Sequence, residues 1–473
     1  MLSAHSVQQI RTAEESLAAE TGWDALMQRA SRGLADAIVD IPSGEVVVML
    51  IGPGNNGGDA LFAATHLLDR GVRVDLCVLD PERVHAEGLA AALSAGAVLV
   101  DEPIGQRYCV DALFGIGARP GLAGTAARWA DWIREQRPWT VAVDVPSGLD
   151  VDGATVAGPH VSADLTVTFG TYKPALLADP AARRCGEVVL VDLGLEPHLP
   201  APVVEVVEPS DVHLLTDALP SPSGHKYTRG VVGIRAGSQE YAGAAHLCVA
   251  GARAGTAGMI RFVGPERLAQ RVVDHAPEVV TARGQVQAWV VGPGGGDDVA
   301  AGLGSALADG VPTVIDASAL DHLPDRFAGP VLLTPHAGEL ARLLDVSREQ
   351  VESAPWTHAR QAAHRWNAVV LLKGARTVVV APDGRTAVNL SGTPWLGTAG
   401  AGDVLAGFVG SLLATGLSVF DAARLGAFLH GAAAVAANPG GPITASDVAA
   451  ALPRVVADFL TGDLGDVRRE DWA

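Results

Sequence analysis

Cysteine is nearly absent. The chain has four in 473 residues, Cys77, Cys109, Cys185 and Cys248, with no CxxC pair and no metal-ligand spacing. That argues against a disulfide framework and a cysteine-bound zinc, and points to reduced, mostly buried thiols in a cytoplasmic protein. Positive charge is also scarce: 34 Lys and Arg stand against 53 Asp and Glu, a net charge of −19. A broad nucleic-acid or anionic-membrane surface needs the opposite balance, so only a local basic pocket is compatible. Aromatics make up 5% and charged residues 18%, whereas 48% of residues are hydrophobic and 55 are glycine. This composition suits buried, Val-rich parallel strands joined by glycine-rich loops. The start, MLSAHSVQQIRTAEESLAAE, is amphipathic and charged with no apolar h-region, so no export signal is expected. One uncharged run, VLAGFVGSLLATGLSVF (404–420), approaches membrane length. Its glycines, the flanking Asp403 and Asp421, and the lack of a second span favour one buried core helix.

The length exceeds what one core usually supports, so two domains are expected. EVVVMLI, VRVDLCVL, YCVDALFG, TVAVDVPSG, LTVTFG and EVVLVDLG read as strands, with LFAATHLLDR and GLAAALSAG among the helices between them. Residues 5–40 read as helix laid across the sheet. A Pro-, Ser- and acid-rich stretch, APVVEVVEPSDVHLLTDALPSPSGHKYTRG, interrupts the rhythm, and a second alternation begins at GVVGIRAGS. The expectation is an α/β protein of two three-layer αβα domains, 1–207 and 208–473, the first a doubly wound parallel sheet.

GPGNNGGDA (52–60) follows the first strand, and Gly52, Gly54 and Gly57 satisfy G-x-G-x-x-G, with Asp75 near the end of the next apolar run. Read literally, this is a dinucleotide fingerprint. Asp59, however, sits where a carboxylate would repel a pyrophosphate. Ligands bind at the carboxyl ends of strands in such sheets, and four ends carry polar groups here: GPGNNGGD, DALFGIGARPG, DVPSGLD and FGTYKP. Asn55, Asn56, Asp111, Asp144 and Ser147 offer oxygen ligands of the kind hard cations prefer. Singly, such residues are also ordinary turn formers and helix caps. Lys173 of FGTYKP either pairs with phosphate, steadies the loop or is a surface lysine.

NNGGD, DALFGIG and VDVPSGLD, in this order, together with LMQRAS in the early helix, resemble the NAD(P)H-hydrate epimerases over about residues 1–205. The resemblance implies a Rossmann-like domain with K⁺ held by Asn56, Asp111 and Ser147. It also implies a hydrated nicotinamide nucleotide contacted by Asn55, Asn56, Gly57, Gly58 and Asp59, by Gly115, Ile116, Gly117, Ala118, Arg119, Pro120 and Gly121, and by Asp144. The glycine motif then meets a damaged dinucleotide as substrate, and the dehydrogenase reading fails. Asp144 is the candidate general acid/base at the hydroxyl-bearing ring carbon.

In the second half, GTAGAGDVLAGF (397–408) places a glycine run and Asp403 at the start of an apolar helix, a pattern that builds an anion hole beside a carboxylate. LLKGART, TPHAGE and VVGPGGGDD end other strands. The set resembles the ribokinase-like fold and, within it, the ADP/ATP-dependent NAD(P)H-hydrate dehydratases, over about 210–465. It implies adenine nucleotide on Lys373, Gly374, Ala375, Arg376, Thr377 and Gly402, and hydrated nucleotide on Ala244, Gly294, Gly296, His336 and Asp403. Asp403 would act on the substrate hydroxyl, which is phosphorylated and then eliminated as phosphate, with Mg²⁺ accompanying the ADP. The chain departs from the family's pattern at HKYTRG, at YAGAA and at WLGTAGAG, leaving Lys373, Gly402 and Asp403 in place.

The combined expectation is a bifunctional repair enzyme that takes NADHX or NADPHX, with ADP or ATP, as small-molecule substrates, with no nucleic-acid or membrane partner, and as a homo-oligomer. Two other readings share the same features: a ribokinase-like small-molecule kinase fused to a nucleotide-binding domain, and a non-catalytic first domain. The second predicts erosion of polar strand ends, yet Asn56, Asp111, Asp144 and Ser147 are all present.

Overall fold

A computed structural model describes residues 1–117, 119–216, 219 and 224–465. The chain divides into two compact units, Ser3–Val204 and Glu205–Ala473, the latter including Met1–Leu2.

The seventeen strands among the described residues are β1 (Leu2–Ala4), β2 (Val46–Ile51), β3 (Arg73–Val78), β4 (Val98–Leu99), β5 (Tyr108–Ala112), β6 (Trp139–Val143), β7 (Leu165–Phe169), β8 (Glu187–Val191), β9 (Val204–Val206), β10 (Val231–Arg235), β11 (Met259–Phe262), β12 (Ala288–Val291), β13 (Thr313–Ile315), β14 (Val331–Leu333), β15 (Val369–Leu372), β16 (Thr377–Val380) and β17 (Thr386–Asn389). In the first unit the sheet order is β4-β3-β2-β5-β6-β7-β8, with every pairing parallel. The order reverses between β2 and β5, the crevice where a doubly wound sheet binds ligands.

β2 shows why this sheet needs helices on both faces. Val47, Met49 and Ile51 pack in one cluster with α1 (Val7–Thr21), α2 (Trp23–Ala37) and α3 (Asn55–Asp69). Val48 and Leu50 alternate to the other face, against Trp129, Ala130 and Ile133 of the helix Gly124–Gln136. An unbroken apolar strand is the signature of a sheet covered twice. The expected helical stretch at 5–40 is two helices, because Gly22 at φ +84° turns the chain between them.

In the second unit the order is β1-β9-β17-β16-β15-β14-β13-β12-β10-β11. Strands β10 to β15 pair in parallel, and β15-β16-β17 form antiparallel hairpins. Here the order reverses between β10 and β12. One face carries α4 (Ala242–Arg253), α6 (Ala401–Ala414) and α7 (Val419–Ala437), whose Val404, Phe408 and Phe428 join Val232, Val290 and Val314 in one cluster; α5 (Ala337–Leu344) follows β14. The single helix expected over 404–420 is corrected to two, α6 and α7, broken at Gly416 with φ +99° and restarted by Ser418, whose hydroxyl accepts from Asp421 N. α7 is long and apolar enough to cross a membrane, yet 78% of its most apolar stretch is buried in this protein. All four cysteines are buried, and none forms a disulfide.

Candidate functional site

NNGGD forms the first turn of α3, although the spacing reads as a loop. The glycines explain the difference. A Cβ on Gly52 would lie 1.7 Å from Leu113 O, and one on Gly57 would lie 2.3 Å from Gly52 O. Only glycine lets the helix start this close to the ends of β2 and β5. Asp75 is mid-strand in β3 and accepts from Gln106 Nε2 at 2.9 Å, so it is not placed as a ribose ligand at the strand end.

A cavity of about 1250 Å³ opens at this switch point, lined by Asn55, Asn56, Asp59, Asp144, Gly115, Ile116, Gly117, Arg119 and Gly121 among others. Gly57, Gly58 and Pro120 are not in its wall, and Ala118 lies outside the described residues. Gly115 brings two polar side chains close to the backbone: a Cβ there would lie 3.0 Å from Asn56 Oδ1 and 3.2 Å from Asp144 Oδ2. Asp111 and Ser147 sit beneath, fully buried or nearly so. Ser147 donates to Asp111 twice, from N at 2.8 Å and from Oγ at 2.7 Å, and Ser147 Oγ accepts from Phe114 N at 3.0 Å. Burial pushes the Asp111 carboxyl up to about 6, with the Ser147 and Leu113 hydrogen bonds pulling the other way.

Asp144 adopts φ +71°, a left-handed conformation that costs a non-glycine residue about 1–3 kcal/mol and that often marks a site. Its Oδ1 pairs with Lys173 Nζ at 2.6 Å and accepts from Thr168 Oγ1 at 3.3 Å. Lys173 is 1% exposed and also donates to Thr168 Oγ1 and Phe169 O, each at 2.9 Å. It is therefore no surface lysine but the internal counterion of Asp144. Desolvation, then the Asp144 and Glu14 charges, raises the Asp59 pKa well above its ordinary value. Glu14, from α1, shares this wall and is also raised by desolvation and by Asp144. Sequence reading misses Glu14, because an acid on a charged amphipathic helix carries no positional signal. The Asn56 Nδ2 group is buried without a hydrogen-bond partner.

In the second unit Lys373 follows β15 and His336 follows β14, and the two form a parallel bridge in which Lys373 N donates to Pro335 O at 2.8 Å. His336 caps α5: its Nδ1 accepts from Gly338 N and Glu339 N, while Glu339 returns a bond to His336 N at 2.7 Å. That arrangement places the ring proton on Nε2 and leaves the ring 59% exposed. Ala244 and Gly294 touch, since a Cβ on Gly294 (φ +57°) would lie 2.5 Å from Ala244 Cβ; Gly296 lies beside Ser238. Gly374, Ala375 and Arg376 form the turn between β15 and β16, with the first two exposed, and Thr377 opens β16.

Gly402 and Asp403 occupy the first turn of α6, whose leading amides lack intrahelical acceptors. Lys373 Nζ lies 3.3 Å from where a Gly402 Cβ would be. Burial, then Asp316, pushes Asp403 up to about 6, with Lys373 opposing. Asp316, which is 2% exposed, accepts from Lys373 Nζ and Thr334 Oγ1, both at 2.8 Å, and Glu339 Oε2 stands 3.9 Å from the same ammonium. Asp316 and Glu339 were visible in TVIDA and TPHAGE, but only their spatial convergence on Lys373 marks them. Among the described residues no group of three or more His, Cys, Asp or Glu side chains is disposed to hold a metal ion.

The family model described as NAD(P)H-hydrate dehydratase matches residues 232–454, and the one described as YjeF-related protein N-terminus matches 23–175. The bifunctional NAD(P)H-hydrate repair enzyme of Mycobacterium leprae is 41% identical, over 97% of this chain and 98% of its own length. Its counterpart in Mycobacterium tuberculosis is 43% identical over 89% of this chain and 90% of its own. Among solved structures, the ADP/ATP-dependent NAD(P)H-hydrate dehydratase of Bacillus subtilis, co-crystallised with ATP and Mg²⁺, aligns at a TM-score of 0.50 and 28% identity, covering 54% of this chain and 99% of that one. Near-complete coverage at this identity, with both family models in order, means that the chain belongs to the bifunctional NAD(P)H-hydrate repair enzymes.

Proposed function

We propose that the unit Ser3–Val204 interconverts the R and S epimers of hydrated NADH or NADPH. The unit Glu205–Ala473 dehydrates the S epimer at the cost of ADP, giving AMP and phosphate. One observation carries the reading: each unit sets a carboxylate near a buried or half-buried lysine that follows a parallel strand, Asp144 paired with Lys173 after β6 and β7, and Asp403 at the start of α6 near Lys373 after β15.

In the epimerase site, the hydroxyl-bearing ring carbon is a hemiaminal. Asp144, whose Oδ1 is paired with Lys173, takes the hydroxyl proton through the cavity-facing Oδ2. The ring C–N bond then opens to an aldehyde, and reclosure on the other face inverts the centre. A carboxyl kept protonated opposite it, as the surroundings of Asp59 favour, returns a proton to the ring nitrogen. The basic side chains Arg11, Arg83 and Arg119 on the cavity wall suit the dinucleotide's phosphates. Asn56, Asp111 and Ser147 supply amide, carboxylate and hydroxyl oxygens, a donor set suited to K⁺. The partnerless Asn56 Nδ2 group is a donor and suits an oxygen of the substrate, leaving Oδ1 for the ion. Bound there, K⁺ would supply fixed positive charge near the substrate.

In the dehydratase site, Asp403 accepts the hydroxyl proton while the hydroxyl oxygen attacks the terminal phosphorus of ADP, releasing AMP. The amides of the first turn of α6 and the Lys373 ammonium neutralise the phosphoryl group in transit. The new phosphate then leaves with its C–O bond electrons, and loss of a proton from the neighbouring carbon restores the dihydronicotinamide. The excess of carboxylates over ammonium around Lys373 suits a nucleotide that arrives with Mg²⁺ on its phosphates.

The test uses a mixture of hydrated NADH epimers, the protein and magnesium, with and without ADP, followed by the return of dihydronicotinamide absorbance. ADP-dependent recovery that releases phosphate and consumes both epimers is expected. Recovery that stops with one epimer spent would remove the epimerase assignment. Formation of a stable phosphate ester would turn the second unit into a kinase.

A further inference from the structure

Three consecutive strand ends meet at one carboxylate oxygen, Asp316 Oδ1. Asp316 follows β13, Thr334 follows β14 and Lys373 follows β15. Asp316 Oδ1 accepts from both Lys373 Nζ and Thr334 Oγ1 at 2.8 Å. Thr334 Oγ1 also lies 3.3 Å from Ile315 O, which fixes the hydroxyl in place. The Asp316 backbone is equally committed: its N donates to Val291 O, and its O accepts from Ala319 N. Asp316 is thus a rigid, 2% exposed anchor. Lysine is a long side chain with many rotamers, and left alone it would roam between Glu339, 3.9 Å away, and solvent. Held by Asp316 it points across to the first turn of α6, 3.3 Å from the Gly402 Cβ position and beside Asp403.

We propose that Asp316 is a positioning residue of the dehydratase centre, aiming Lys373 at the phosphoryl group in transit between nucleotide and substrate hydroxyl rather than at the resting nucleotide. Carried over by resemblance, Lys373 belongs with Gly374, Ala375, Arg376 and Thr377 as a grip on the adenine nucleotide. The geometry separates it from them. Gly374 and Ala375 turn outward and are exposed, whereas the lysine side chain, 23% exposed, runs inward to Asp316 and Gly402. A cation locked where charge develops lowers the barrier without tightening the ground state.

The inference rests on the dehydratase reading, and its test keeps the two apart. Asp316→Asn in the full chain is compared with wild type by steady-state turnover of hydrated NADH and by calorimetric titration with ADP and Mg²⁺. Loss of aim by about an ångström costs on the order of 100-fold. The expected result is therefore a kcat reduced about 100-fold, with the KM for ADP and its calorimetric Kd within about threefold of wild type. A merely structural role would instead weaken ADP binding and turnover together. Thr334→Val removes the hydroxyl that steadies the same carboxylate oxygen and keeps every charge. It should lower kcat about threefold to tenfold at unchanged ADP affinity, and it carries the test if Asp316→Asn does not fold. An unchanged kcat in either folded variant, or a Kd for ADP raised tenfold or more with kcat intact, overturns the proposal. A wild-type protein that turns over no hydrate defeats the dehydratase reading itself.

Discussion

Lys173 holds Asp144 by one oxygen and leaves the other to the cavity. The pair is 2.6 Å long through Oδ1, while Oδ2 faces Gly115 at 3.2 Å from its would-be Cβ. Because the lysine is 1% exposed, removing it strands a carboxylate that has left much of its water behind. Lys173→Met should destabilise the protein by about 3–5 kcal/mol and abolish epimerisation. Adding Asp144→Asn to that variant should recover a substantial part of the stability but none of the activity. Urea denaturation of the two single variants and the double variant gives the coupling; purely additive losses would mean that the pair does not act as a unit.

Asp403, as the proposed base, should set a pH limit on dehydration. Burial and Asp316 raise it to about 6 from 3.8. As a base it works only when ionised, so kcat/KM for ADP-dependent dehydration should fall as pH drops through about 6 and be flat above. Asp403→Asn should abolish dehydration at every pH and leave epimerisation intact. An acid limb that instead tracks an ordinary carboxylate, near 4, would assign proton transfer elsewhere.

The same shift makes Asp403 a stability liability. Its folded pKa lies above the unfolded value, so the carboxyl favours the fold while protonated, below about pH 4, and that advantage is lost as pH rises through about 6. At pH 8 the ionised form costs up to about 3 kcal/mol, less whatever water still reaches it. Asp403→Asn should thus raise the midpoint of thermal unfolding at pH 8 and leave it nearly unchanged at pH 4. A variant less stable than wild type at pH 8 would show that the carboxylate contributes favourable interactions exceeding its desolvation.

Much of this architecture is legible in the residues. The apolar runs that become β2, β3, β5, β6 and β7 announce themselves, and so do most strands of the second unit, because strands buried on both faces are continuous Val-rich segments; β8 reads as a strand too, though as an edge strand it is only partly covered. Two-residue β4 and the three-residue strands β1 and β9 do not, being too short for any period. Asp111, Ser147 and Asp144 stand in punctuated motifs at strand ends and Asp403 in one at a helix start, where position alone raises a question. Lys173, Asp316 and Glu14 are different. Each gains its meaning from a partner at a distance in the chain, Asp144 for Lys173 and Lys373 for Asp316, and no local pattern encodes that pairing. The run 404–420 misleads for a related reason: composition reports that it is buried, but a single glycine at φ +99° decides that it is two helices.

α4 and α6 cross through glycines, and that crossing fixes the height of Asp403. A Cβ on Gly407 would lie 1.9 Å from Cys248 O, and one on Gly251 would lie 2.0 Å from Val404 O. Neither backbone carbonyl can swing aside as a side chain might, so Gly407→Ala must push the helices apart. Asp403 is one turn before Gly407 on the same helix and moves with it. The variant should lose about 1–3 kcal/mol of stability and most of its ADP-dependent dehydration, with epimerisation per folded molecule unchanged. Gly416→Ala is the comparison: no atom lies within 4 Å of its Cβ position, and only the left-handed backbone is penalised, by about 1–2 kcal/mol. It should lower the unfolding temperature while leaving both activities intact in the folded protein. Thermal denaturation with both assays on the two variants separates the effects. If Gly407→Ala dehydrated as fast as Gly416→Ala, the helix crossing would not be what seats Asp403.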